Sequence, residues 1–310
     1  MEWKKSLTGI ALILSLAACD HIAVMFTPKK QAQASHTALA EKAQTQFWQT
    51  LHQGNYQGIA EADKLLTAAY LDNPNDPALA AHLGFLHIWK ITERERLKTI
   101  PPEIVNEIIL SHKYFSDAVE LDPSDARYLG FLGDSMIAEG QIFKDQRLQT
   151  KAYFTLKRAV HRWPEFNYFT AGYIFSTLPA DSEYFKEGLD WQWDTLSLCA
   201  EHTVDKQHPD FSPYMSLETT KGVKRACWNS WIAPFNFEGF FLNMGDMLVK
   251  SGDSETAVKI YQNARLAKNY SAWPYRPMLE QRIADTKAHV KPKAILFNSG
   301  AGCVACHQSQ

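Results

Sequence analysis

Four stretches of the chain repeat one spacing of small and large residues. Ala62, Leu66, Ala69 and Pro74 set the pattern. Ser111, Phe115, Ala118 and Pro123 follow at the same offsets, as do Ala152, Leu156, Ala159 and Pro164, and then Ala257, Tyr261, Ala264 and Asn269. Steps of four and three residues put the first three members of each set on one face of an α-helix. Proline, which closes all but the last set, stops that helix. The spacing therefore predicts an all-α chain built from a recurrent helical unit, each unit burying one narrow face against a neighbour.

The last set has the fullest context. Phe241, Met244, Gly245 and Leu248 precede Ala257, with Gly252-Asp253 at the turn between, and Gly245 stands twelve residues before Ala257. This unit resembles a tetratricopeptide repeat (TPR), in which a first-helix glycine lets two helices cross closely. Gly84 and Gly133 lie in predicted first helices at Pro77 to Ile91 and Ser124 to Gly140. Their second helices come about 15 and about 7 residues late, to be absorbed by loop insertions or longer helices. Gly172, in Asn167 to Thr177, opens a further unit whose second helix, near Tyr184 to Ala200, matches poorly. The resemblance implies a TPR-like α-solenoid whose curved groove holds a protein segment, although fold alone does not assign function. An unrelated helical bundle is the alternative.

The expected organisation is a signal peptide over 1–18, a lipid anchor and tether over 19–43, TPR-like repeats over 44–200, and an irregular aromatic-rich insertion over 201–237. A further repeat and capping helix over 238–289 and a tail over 290–310 complete it. At the N-terminus Lys4 and Lys5 precede an apolar run, Leu7 to Ala18, that is short for a membrane span. It ends in Leu16-Ala17-Ala18-Cys19, which resembles the lipobox of bacterial lipoproteins and implies cleavage before Cys19 and lipidation of that residue. An ordinary signal peptide is the other reading. The expected location is the periplasmic side of a bacterial envelope, held to the membrane by lipid alone; Asp20 hints at the inner membrane without deciding it. The net charge is −2, with no basic block, which argues against a nucleic-acid partner. A hydrophobic content of 45%, with nine Trp, predicts a well-packed core.

The chain closes on Cys303-Val304-Ala305-Cys306-His307, three residues from its end. Two cysteines three apart with a histidine after the second form the attachment pattern of a c-type haem. Each thiol adds across one vinyl group to give a thioether, and His307 then lies beneath the ring as proximal iron ligand. One covalent haem c is the expected cofactor. Three other readings compete with it: a structural zinc site, which lacks a second ligand pair; a redox-active dithiol, which lacks its βαβ setting; and an idle tail. Cys199 and Cys227 flank most of the insertion, and an oxidising compartment favours their disulfide over two buried thiols.

No methionine follows Cys306, so a sixth iron ligand has to come from upstream. Met278, Met215, His202, His208 and His289 are the candidates, each with a plainer reading as core methionine or solvated histidine. Electron transfer, or presentation of haem to a redox protein recognised by the repeats, is the expected work. A TPR assembly scaffold with a minor terminal motif is the alternative. No hydrolytic triad or phosphate loop is evident, and no catalytic residue is assigned; a five-coordinate haem would leave gas-binding or peroxidatic chemistry open.

Overall fold

A computed structural model of the chain describes residues 25–291, 295–296 and 299–310. The segment expected to be a signal peptide, Cys19 and Asp20 lie outside the described residues. Among the described residues the structure is helical, without a β-strand. The helices are α1 (Ala38–His52), α2 (Ile59–Asp72), α3 (Pro77–Thr92), α4 (Asn106–Leu121), α5 (Ala126–Ile142) and α6 (Gln146–Arg162), then α7 (Pro164–Phe175), α8 (Glu183–Ala200), α9 (Asn236–Ser251), α10 (Ser254–Asn263), α11 (Arg276–Lys287) and α12 (Val304–His307).

Local chemistry sets many of the starts. Asp76 accepts from the amides of Ala78 and Leu79, with Pro77 in the first turn of α3. Asp145, Ser182 and Asp253 cap α6, α8 and α10 in the same way. Such caps satisfy amides that a helix leaves without internal partners. Thr37 caps α1, so that helix begins inside the stretch expected to tether the lipid. Gln33 and Ser35, just before it, donate to Asn75 and Asp76 across the α2–α3 turn.

Consecutive helices associate as pairs: α1 with α2, α3 with α4, α5 with α6, α7 with α8, and α9 with α10. Neighbouring pairs meet through α2 and α3, α4 and α5, and α6 and α7. The apolar members of the four sequence sets form the seams. None of their twelve helix-facing residues is more than 1% exposed. In three pairs the glycine of the first helix approaches the large residue of the second. A Cβ on Gly245 would lie 2.1 Å from Tyr261, and one on Gly133 would lie 2.5 Å from Leu156. The two late second helices have different causes. Residues 93–105 form a loop with two short 3-10 turns before α4, whereas α5 and α6 are both 17 residues long and only residues 143–145 separate them.

The insertion carries no α-helix before Asn236, only 3-10 turns at Ser212–Leu217 and Val223–Cys227. Its aromatic residues fold inward, with Trp228 stacked on Phe237 at 5.7 Å and Phe211 packed against both Trp228 and Phe241. Cys199 and Cys227 are bonded, S–S 2.02 Å, closing a separation of 28 residues. A loop of that size contributes about 3–4 kcal/mol by restricting the unfolded chain.

Candidate functional site

The C-terminal tail is threaded into the molecule rather than hung from it. Cys303 N and Val304 N both donate to Oε1 of Glu93, at 2.7 and 3.0 Å. Glu93 follows the last residue of α3, is fully buried, and holds Arg96 at 3.1 Å through its other oxygen. A carboxylate at this point satisfies the first free amides of the single turn α12 and suits the positive end of a helix. Burial pushes the Glu93 pKa up, opposed by Trp89, the Val304 amide and Arg96. Four further bonds fix the turn. Tyr173 of α7 donates to Gly302 O at 2.7 Å, Trp273 Nε1 to Ala305 O at 2.7 Å, Phe235 N to Cys306 O at 2.9 Å, and Ser309 N to His52 O at 2.8 Å. On the α9 side a Cβ on Gly239 would sit 2.2 Å from Cys306 Sγ, so this glycine is what lets the backbone come so close. Leu296, Ala301, Val304 and Ala305 are buried, so apolar contacts add to these bonds in holding the tail.

Cys303, Cys306 and His307 open onto one cavity of about 650 Å³, walled by α1, α3, α5, α7 and the insertion. That volume is typical of small-molecule and cofactor sites. The wall is largely aromatic, with Phe47, Phe85, Phe131, Phe169 and Trp228 among its residues. Three of its polar atoms are buried without a hydrogen-bond partner: His82 Nδ1, Asp134 Oδ1 and Trp228 Nε1. Burial raises the Asp134 pKa well above its ordinary value. Arg127 and Arg225 also line the cavity. Arg127 is forked onto Asp125, and Arg225 lies 4.1 Å over the ring of Trp163.

The His307 ring is oriented by Ile232, whose carbonyl oxygen lies 2.7 Å from Nδ1. A carbonyl only accepts, so Nδ1 carries the proton and Nε2 keeps its lone pair. Burial lowers the His307 pKa to about 4, so the ring is neutral near pH 7. A half-buried, neutral imidazole fixed through a backbone carbonyl is a state in which histidine serves as a metal ligand. Burial also raises both thiols, Cys306 to about 12 and Cys303 well above its ordinary value, with Glu93 adding to the rise at Cys303 and Glu238 at Cys306. A redox-active dithiol depends on a stabilised thiolate, and this setting works the other way.

The five proposed sixth ligands lie elsewhere. Met215 and Met278 are half-buried against the main core, His202 is hydrogen-bonded to Tyr214, and His208 and His289 are exposed. None of the five lines the cavity. The histidine that does, besides His307, is His82 of α3, and sequence reasoning did not single it out. Its one signal was a histidine inside the apolar run Ala78 to Ile91. Glu93 had no local signal, because its bonding partner Cys303 is 210 residues away.

Among the described residues, no group of three or more His, Cys, Asp or Glu side chains is placed to hold a metal ion by itself. No helix there is long and apolar enough to cross a membrane. No protein-family model and no curated protein matches the chain.

Proposed function

We propose that this chain is a TPR-like envelope lipoprotein that holds one covalent haem c in its central cavity and exchanges electrons with a protein partner. The observation that carries this reading is the convergence of Cys303, Cys306 and His307 on one apolar cavity of cofactor size. The paired helices with buried small-large seams support the TPR resemblance.

The residues present fit such a group. Cys303 and Cys306 would hold it through thioethers, and His307, with Nδ1 tied to Ile232 O, would offer Nε2 to the iron. Glu93 keeps both cysteines on the cavity wall by capping the turn that carries them. Arg127 and Arg225 are cationic partners for the two carboxylates of a haem. The aromatic wall excludes water and lowers the local polarity, which tunes a redox potential. Haem, when bound, supplies a one-electron iron couple. Trp231, 65% exposed, lines both this cavity and an adjoining surface groove and packs against Trp48 at 4.9 Å, giving the cavity an aromatic edge toward a partner. The burial and multiple bonding of the tail argue against an idle terminal motif.

The test is a haem stain after denaturing electrophoresis of protein made with the c-type maturation machinery. The wild type is expected to keep covalent colour, and the double variant Cys303→Ser, Cys306→Ser to lose it. A colourless wild type overturns the proposal.

A further inference from the structure

We infer that His82 is the second axial ligand of the iron; this rests on the haem reading above. Among the described lining residues, His82 is the one histidine or methionine besides His307. Its Nδ1 is buried and has no hydrogen-bond partner. A buried polar atom left unpaired is costly, and native structures rarely keep one without a use.

The ring is also held in place. It stacks on Phe47, centroids 4.3 Å apart and planes 17° apart, and meets the edge of Trp48 at 5.3 Å. His82 and Phe85 stand three residues apart on α3, and the Phe85 ring packs edge-on to the ring of His307 at 5.4 Å. One short helical segment thus supports the proximal histidine and carries the second one. His52 is the nearest rival in kind, since its Nε2 is also buried and unpaired, but it lines the adjoining groove behind Trp231 and not the cavity.

Ligation by two histidines fills both axial positions. A small ligand must then displace a histidine before it can bind, which favours electron transfer over gas-binding or peroxidatic turnover at this iron. The assignment is read in the absorption spectrum of the purified holoprotein with and without carbon monoxide. Wild type is expected to be low-spin in both redox states, with no prompt spectral change when carbon monoxide meets the reduced form. His82→Ala is expected to keep its covalent colour, turn high-spin and bind carbon monoxide, and to return to low-spin with added imidazole. His52→Ala is expected to match wild type. A high-spin or carbon-monoxide-binding wild type overturns the assignment, and so does a His82→Ala spectrum indistinguishable from wild type. Should His82→Ala yield no coloured protein, His82→Met decides. A low-spin spectrum with the signature of an iron–sulfur(Met) bond supports the assignment, and an unaltered spectrum refutes it. Loss of covalent colour from the wild type would instead strike at the haem reading itself.

Discussion

Glu93→Ala tests the idea that a single buried carboxylate seats the terminal motif. The substitution strands two amides, Cys303 N and Val304 N, that now share Oε1 at 2.7 and 3.0 Å, and it frees Arg96. A buried donor left unpaired costs about 1–3 kcal/mol, more where its lost partner was charged. Arg96 is 30% exposed, so losing that pair adds little. Relief of the cost of burying a carboxylate offsets part of the loss. The net expectation is a destabilisation of about 2–5 kcal/mol, concentrated at the tail. Glu93→Gln keeps an acceptor at Oε1 but loses the charge, for about 1–2 kcal/mol. Urea unfolding of haem-free protein gives the total, and hydrogen exchange at the Cys303 and Val304 amides gives the local share. Opening of the tail by 3 kcal/mol corresponds to roughly 100-fold faster exchange there. If Glu93→Ala stays within about 0.5 kcal/mol of wild type and those two amides keep their protection, the capping argument is wrong.

Two further outcomes follow from the same geometry. Gly245→Ala would put a methyl group 2.1 Å from Tyr261, a fully buried ring anchored to Asp246 at 2.7 Å, so unfolding should become easier by about 2–3 kcal/mol despite alanine's better helix propensity; an unchanged melting temperature would refute the close-crossing account. Glu238 is fully buried beside Asn229, and burial raises its pKa from 4.5 to about 7, so the folded state binds this proton more tightly than the unfolded one. The corresponding stability is fully present below about pH 4.5 and is lost as the pH rises through about 7. Wild type should therefore lose about 2–3 kcal/mol relative to Glu238→Gln between pH 5 and 8, whereas parallel pH profiles of the two would dismiss the buried-acid assignment.

Several parts of this molecule were legible before any coordinates. The spacing Ala62-Leu66-Ala69 and its three counterparts is a local, periodic signal, because helix geometry alone decides which side chains share a face. All twelve of those residues are indeed buried. The same holds for Gly245, whose distance from Ala257 reflects a helical hairpin. Elsewhere sequence proximity misled. His289 is close in sequence to the terminal motif, yet neither it nor Met278 reaches the cavity. Helix α11, which carries Met278, lies against α10 and the end of α9 instead.

By itself, the sequence determined the helical class, the positions of the crossing glycines and the presence of a haem-attachment pattern, since each depends on spacing within a few turns of chain. Only the tertiary structure decided what surrounds that pattern. Glu93, Tyr173, Ile232 and His82 meet it from separate elements, and a contact across 210 residues leaves no local trace. Neither does a cavity, which exists only where helices stop short of filling the space between them. The tail follows the same physics: a few apolar residues and a stretch of backbone donors and acceptors read as a loose end until the fold supplies their partners.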